Sequence, residues 1–361
     1  MSVDGQASGP AGAEANATGI HRRDPADGSR GTARSEPSDP SVRPDRSEPP
    51  DPPRARGNAG SAHGRFGAVG WHVAPVLTVL AIGCLVWYAA AVWLNAPQVI
   101  ERTLSARPGW SAADLLRLTW SMDRPVLPAP HQIALDLIAS MFRWPLDSHR
   151  NLLYHAGVTT SATLLGFALG TLLGALLAVG VVHSRTLERS LFPWIVASQS
   201  VPVLAIAPIV IVILGSLGLS GVFPKAVISM YLCFFPVAVA LVKGLRSPGT
   251  IELELLHTYA ASRRQVFWAL RVPASLPFLF PALRVGIAAA LVGAIVGELP
   301  TGAQAGLGAR LLTGSYYGNT VQIWSALVMA ALLGLLLTGA VALIERGAMK
   351  RPLAGAAALA R

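Results

Sequence analysis

The sequence predicts an all-α membrane protein with six transmembrane helices and a basic insert on the cytoplasmic side. Hydrophobic residues make up 52% of the 361 residues and charged residues only 13%, whereas soluble domains usually have about 25% charged residues. Several apolar runs reach the length of about 20 residues that a helix needs to cross the hydrocarbon core. Between two of these runs, residues 247–275 combine three arginines with a helical pattern of apolar side chains.

The first 65 residues differ in composition from the rest of the chain. Strings such as SEPSDPSVRPDRSEPPDPPRAR hold too few apolar side chains to offset the chain entropy lost on folding. No apolar core occurs in the first 30 residues, so this segment is not predicted to be a signal peptide. We therefore expect a disordered cytoplasmic tail over residues 1–65, followed by the first span with an extracytoplasmic or interfacial segment (66–155) and a core membrane domain (156–350).

Six apolar runs are predicted to cross the membrane. The third is interrupted by Pro193, Pro202 and Pro208, so we expect a proline-kinked helix there. The predicted spans are Val73–Leu94, Ala156–Val182, a helix near 192–214, Ala226–Leu245, approximately Phe278–Leu299, and Val321–Ile344. Arginine-rich short loops lie on the side of both termini, which predicts that both termini are cytoplasmic. The formal net charge of +10 fits such flanks better than nucleic-acid binding.

Two further patterns concern packing. Gly166, Gly170 and Gly174 form a repeated GxxxG, which is typical of closely packed membrane helices. In segment 128–155, apolar residues recur at helical spacing. This segment is expected either to lie at the outer membrane interface or to pack on the bundle, and packing is favoured.

The basic insert, residues 247–275, is expected to leave the membrane, because each arginine at mid-bilayer costs about 2.5–3.5 kcal/mol. Its apolar residues define two short amphipathic helices, and Ser262 is placed to cap the second. Pro273 and Pro277 are expected to set the angle at which the chain enters the fifth span. Physical reasoning alone leaves two alternatives: a docking element, or an interfacial helix on the lipid headgroups.

The stretch ELLHTYAASRRQVFWALRVPASLP, Glu254–Pro277, resembles the E-A-A-x3-G-x9-I-x-L-P signature of binding-protein-dependent ABC importer permeases. Glu254 holds the Glu position, Ala260 replaces the glycine, and Pro273 ends the pattern. The resemblance covers about residues 125–345, including LPAP (127–130) and LLGFALGTLLG (164–174). Within the family, the sequence is similar to the aliphatic sulfonate, nitrate and taurine branch. The alanine is costly only if a positive φ is required, by about 1 kcal/mol or more.

The resemblance implies a type I ABC importer fold in which the insert couples to a cytoplasmic ATP-binding subunit. The implied contact residues are Glu254, Tyr259, Ala260, Ala261, Arg263, Gln265, Val266 and Phe267. It also implies an extracytoplasmic solute-binding protein, a permease homodimer and the cell inner (plasma) membrane. The solute would be sulfonate-, taurine- or nitrate-like, or pyrimidine-like. A Walker A loop requires a lysine directly after a glycine, and none of the three lysines follows a glycine. ATP is therefore expected to bind to the partner subunit. This chain is expected to be no enzyme and to need no cofactor.

Translocation-pathway candidates are Ser198, Gln199 and Ser200 beside the Pro202 kink, and Glu298 at the outer end of the fifth span. Glu298 is expected to form part of an outer gate, to contact the binding protein, or simply to be exposed at the interface. Arg284 is expected to extend to the cytoplasmic interface.

Two other classes of function remain as alternatives. An ion-coupled secondary transporter usually carries carboxylates within its spans, and no Asp lies within a predicted span. An intramembrane enzyme requires a catalytic constellation, and the sequence shows neither such a constellation nor His, Cys and Asp at metal-ligand spacing.

Overall fold

The computed structural model describes residues 65–105, 109–300 and 304–359, and these residues form a bundle of helices. No strand occurs in these ranges, in agreement with the all-α fold class predicted from composition. The predicted tail, except for Arg65, lies outside the described residues.

The described ranges contain twelve α-helices. They are α1 (Arg65–Val99), α2 (Ala112–Trp120), α3 (Pro130–Phe142), α4 (Leu152–His183), α5 (Arg185–Ala197), α6 (Val203–Ser216), α7 (Val222–Leu245), α8 (Thr250–Thr258), α9 (Arg263–Val266), α10 (Val272–Glu298), α11 (Leu307–Tyr316) and α12 (Thr320–Leu359). A π-helical turn, Ile100–Leu104, extends α1.

Five stretches of helix are long and apolar enough to cross a membrane. They are Pro75–Leu104, Leu152–His183, Val222–Leu245, Arg263–Glu298 and Thr320–Met349. The helices α5 and α6 add a sixth crossing if they are counted together.

The third predicted span is not a single kinked helix. The helices α5 and α6 are bent by 104° across a short break, where Ser198–Ser200 form a 3-10 turn. Pro202, the residue before α6, has an extended backbone with ψ of 116°. The sequence-based prediction of a kinked helix was therefore wrong, because the chain turns sharply here.

Helix α7 forms the centre of the bundle, between α4 and α10. Its contact with α4 requires glycine: a Cβ atom on Gly166 would lie 2.2 Å from Cβ of Ser229, and one on Gly170 would lie 2.8 Å from Cβ of Cys233. On the other side, a Cβ atom on Gly293 of α10 would lie 2.7 Å from Cα of Ser229. The predicted close packing at the GxxxG repeat is confirmed.

The segment before α4 is packed on the bundle, as expected. Ile133 of α3 is buried, and the hydroxyl of Ser325 in α12 donates a hydrogen bond of 3.4 Å to its carbonyl oxygen. The buried side chain of Asn95 in α1 accepts from the amide of Val126 at 2.7 Å and donates to the carbonyl of Leu127 at 2.9 Å. These bonds fix the first span to the segment that leads into α3.

The insert and the fifth span form one continuous helical stretch. A π-helical turn, Phe267–Arg271, connects α9 directly to α10. The fifth span therefore begins earlier than predicted, and Pro273 is the second residue of α10, just after the π-helical turn. Pro277 lies within the same helix, so neither proline makes a break.

Candidate functional site

The first helix of the basic insert ends in a Schellman motif that contains a strained alanine. The amide of Ala260 donates to the carbonyl of His257 at 2.9 Å, and the amide of Ala261 donates to the carbonyl of Leu256 at 3.0 Å. These two bonds define the motif, in which the residue after the cap is left-handed and usually glycine. Ala260 has a φ of +52°. The alanine therefore stands at the position where the importer signature has glycine, and it carries a backbone cost.

The second helix of the insert begins with the predicted cap. The side chain of Ser262 accepts from the amide of Gln265, and the side chain of Gln265 accepts from the amide of Ser262 at 2.8 Å. This capping box satisfies two amide groups that have no partner within a helix. The prediction for Ser262 is confirmed, and the cap fixes the start of the helix at Arg263.

The insert presents an apolar stripe on α8 that nothing covers. Ile251, Leu255 and Tyr259 are 80%, 56% and 76% exposed, and their spacing of four residues places them on one helical face. Glu254, Ala260, Arg263 and Gln265 are exposed as well, while Ala261, Val266 and Phe267 are half-buried. The predicted contact residues thus lie together on a projecting hairpin.

A cleft separates the insert from the end of α4 and is about 350 Å³ in volume. It is lined by Val182, His183, Leu253, His257, Ala261, Arg263, Val266, Phe267 and Arg271. The rings of His183 and Phe267 meet edge to face with centroids 5.0 Å apart. Arg271 donates a hydrogen bond of 3.3 Å to the carbonyl of Leu245. These contacts fix the second half of the insert to the bundle and leave α8 to project.

An ion pair joins two helices close to the insert. Arg246, which follows α7, contacts Glu188 of α5 at 2.8 Å. The hydrogen bond that Arg246 donates to the carboxylate of Glu188 raises the pKa of Arg246, so the guanidinium stays charged at any physiological pH.

The pathway candidates near Pro202 lie at the break between α5 and α6. The hydroxyl of Tyr231 in α7 donates to the carbonyl of Ser198, whereas Gln199 and Ser200 are exposed. The polar residues thus accompany a sharp bend, and one of them is fixed to the centre of the bundle.

Glu298 is not exposed, which corrects the expectation that it lies at the membrane interface. Its side chain is fully buried and lies 3.6 Å from the ammonium group of Lys225. It accepts hydrogen bonds from the hydroxyl of Thr159 at 3.0 Å and from the amide of Gly308 at 2.9 Å. Burial of a carboxylate is tolerated when it is paired and hydrogen-bonded in this way.

His155 completes this buried group, which we call the polar cluster: His155, Thr159, Lys225 and Glu298. The amide of Gly306 donates to Nδ1 of His155 at 2.9 Å, and Nε2 lies 2.8 Å from the carbonyl of His149. An amide can only donate and a carbonyl can only accept. The imidazole is therefore neutral, with its proton on Nε2.

A cavity of about 570 Å³ lies beside the polar cluster, at the end of the bundle opposite the insert. Its lining includes His149, Tyr154, Ser220, Lys225 and Gln304. Polar side chains around an otherwise apolar cavity are the usual composition of a small-molecule site.

Sequence reasoning placed Glu298 among the candidates but missed Lys225, His155 and Thr159. Lys225 directly precedes the predicted span Ala226–Leu245, and a charged residue beside an apolar run is a signal for a buried partner. Arg284 of α10 is likewise paired, with Glu345 of α12, so it does not extend alone to the interface. Lys225 at the start of the fourth span and Glu298 at the end of the fifth lie on the same side of the membrane, and this could have indicated that they pair.

Fold and site together define a polytopic membrane protein with an exposed helical hairpin at one end and a polar cavity at the other. Residues 170–350, about half of the chain, match the family described as binding-protein-dependent transport system inner membrane component. The chain belongs to this family, and it is the membrane-embedded permease component of an ABC transporter.

Three relatives illustrate the relationship. The formylaminopyrimidine transport permease protein of Halalkalibacterium halodurans is 33% identical over 225 residues, covering 61% of this chain and 83% of the relative. The riboflavin transport system permease protein of Chloroflexus aurantiacus is 34% identical over 221 residues, covering 61% and 78%. The putative aliphatic sulfonates transport permease protein of Bacillus subtilis is 26% identical over 268 residues, covering 71% and 93%.

Proposed function

We propose that this chain is the permease of an ATP-driven importer that receives a small solute from a binding protein and releases it into the cytoplasm. One observation carries this proposal: the hairpin of α8 and α9 projects from the bundle with the stripe of Ile251, Leu255 and Tyr259 uncovered. Exposed apolar residues of this kind mark interaction sites. Because arginines lie beside the stripe, a partner protein with acidic residues around its binding surface fits better than one with a neutral surface.

The partner at the hairpin is a separate ATP-binding subunit, which binds and hydrolyses ATP. Arg263 and Phe267 are the residues proposed to transmit its motion, because Arg263 is exposed at the start of α9 while Phe267 contacts His183 of α4. A displacement of the hairpin would thus reach the bundle through direct ring contact.

The proposed orientation places the insert and both termini in the cytoplasm, with the chain in the cell inner membrane. The arginine-rich loops support this choice through the positive-inside rule. The solute-binding protein then docks at the opposite end, where the 570 Å³ cavity opens. A homodimer of this chain would enclose one translocation path.

The solute is proposed to be small, in the range of a sulfonate, taurine or a pyrimidine. The support comes from the relatives, whose names assign them formylaminopyrimidine and aliphatic sulfonates. Selection among these solutes is assigned mainly to the binding protein.

The test is ATP hydrolysis by the reconstituted complex in liposomes. Arg263→Ala combined with Phe267→Ala is expected to leave the permease assembled but to lower hydrolysis stimulated by the binding protein several-fold. The control is Arg346→Ala combined with Phe142→Ala, which removes the same two residue types from exposed positions outside the insert.

Unchanged stimulation in the first variant would count against the hairpin as the coupling site. Uptake that continues when the ATP-binding subunit is omitted, and that follows an ion gradient, would instead favour the secondary-transporter alternative.

A further inference from the structure

Residues 305–308, which lead into and begin α11, are held by side chains from α4, α7 and α10. The carbonyl of Ala305 accepts from Lys225 at 2.7 Å, and the amide of Gly306 donates to His155. The amide of Leu307 donates to Thr159 at 2.9 Å, and the amide of Gly308 donates to Glu298. We propose that the polar cluster is a latch that positions residues 305–308 over the outer cavity, with Lys225 and Glu298 as positioning residues for solute passage.

The pattern of bonds supports a latch rather than general core packing. Four consecutive residues each use one backbone group, and every partner is a side chain from α4, α7 or α10. The amides of Leu307 and Gly308 belong to the first turn of α11, where they have no partner within the helix. Here the loop conformation depends on the four side chains of the polar cluster.

Close contact with Glu298 also restricts the loop. A Cβ atom on Gly306 would lie 2.1 Å from the carboxyl carbon of Glu298, and Gly306 has a φ of +126°. A Cβ atom on Gly308 would lie 2.4 Å from the carbonyl oxygen of Ile295. Both glycines are therefore needed for the loop to sit on the carboxylate.

The latch is coupled to the cavity because the same residues belong to both. Lys225, Gln304 and Ala305 line the cavity, and Lys225 is at the same time bonded to the loop. Release of Lys225 from Ala305 would free the wall of the cavity. The charges favour the latched state, because a buried Glu298 without its lysine would be an unpaired charge.

The first test is amide hydrogen exchange of the permease in lipid nanodiscs, followed on peptides that cover residues 304–312. Lys225→Met is expected to speed exchange of this loop at least tenfold, while the peptides from α4 and α10 keep their protection. Lys243→Met is the matched control, because it removes the other described lysine of α7, which is stacked on Phe278 rather than bonded to the loop.

The second variant keeps the proposal testable if Lys225→Met unfolds. Glu298→Gln preserves the shape of the side chain but leaves Lys225 without its counter-charge, and it is expected to speed exchange as well. In the double variant, Lys225→Met with Glu298→Gln, exchange is expected to speed up by less than the product of the two single accelerations. The reason is that neither variant residue is left as an unpaired charge.

Two results would overturn the latch. Equal loop exchange in Lys225→Met and wild type would show that the bond does not position the loop. Faster exchange spread evenly over α4, α7 and α10 would show that the pair of Lys225 and Glu298 stabilises the whole core and does not specifically position residues 305–308.

The transport readout rests on the proposed function. In liposomes with the ATP-binding subunit, Lys225→Met is expected to raise ATP hydrolysis in the absence of the binding protein several-fold, while Lys243→Met leaves it unchanged. Since the exchange measurement needs no ATP-binding subunit, failure of the latch and failure of the importer assignment are separable. If Lys225→Met speeds loop exchange but leaves ATP hydrolysis unchanged, the polar cluster has no role in solute passage.

Discussion

Replacement of Ala260 by glycine is expected to stabilise the hairpin formed by α8 and α9. Ala260 has a φ of +52°, which costs a residue with a Cβ atom about 1–2 kcal/mol. Glycine removes this cost but loses about 0.4–1 kcal/mol through the greater freedom of the unfolded chain. The net gain is about 0.5–1 kcal/mol.

This gain has a direct observable in the Schellman motif. The amide of Ala261 is bonded to the carbonyl of Leu256, so it exchanges only when the end of α8 opens. Because 1.4 kcal/mol corresponds to a factor of ten, Ala260→Gly is expected to slow this exchange about two- to fivefold.

Ala261→Gly serves as the control, since the same chemical change is made one residue later, where φ is not positive. It is expected to speed exchange through added chain freedom. Equal or faster exchange in Ala260→Gly would refute the assignment of backbone strain to this residue.

Three further predictions concern the bundle and are read from thermal unfolding in detergent. Gly166→Ala is expected to destabilise the chain by about 1–3 kcal/mol through overpacking, whereas Gly157→Ala on the same helix has open space and is expected to be neutral or stabilising. Asn95→Ala leaves buried backbone groups unpaired and is expected to cost about 1–3 kcal/mol. Tyr231→Phe removes the donor to the carbonyl of Ser198 and is expected to cost about 1 kcal/mol.

Each of these has an outcome that contradicts it. Equal midpoints for Gly166→Ala and Gly157→Ala would exclude a tight contact between α4 and α7. An unchanged midpoint for Asn95→Ala would exclude stabilising hydrogen bonds between α1 and residues 126–127. An unchanged midpoint for Tyr231→Phe would exclude a stabilising bond at the break between α5 and α6.

The helical spans could be predicted from sequence because their signal is local. A run such as 156–182 is apolar throughout, and its small residues at every fourth position indicate a close neighbour. The capping box at Ser262 was also predictable, because both partners lie within one turn. These features depend on residues that are near each other in the chain.

The bend between α5 and α6 and the polar cluster were not predictable in the same way. A proline within an apolar run indicates an interruption, but the angle depends on the packing of the flanking helices against α7. Thr159 and Glu298 are 139 residues apart in sequence, and each alone is compatible with exposure at an interface. Only the packing of α4, α7 and α10 shows that they meet in the interior.

The fifth span carries the hairpin at one end and Glu298 at the other, within a single helical stretch of 36 residues. At 1.5 Å per residue this rod is about 54 Å long. A tilt of about 10° around its midpoint would carry each tip through an arc of about 5 Å, since half its length is about 27 Å. A sideways displacement of the hairpin at one end would therefore reach the Glu298 end as a movement longer than any hydrogen bond.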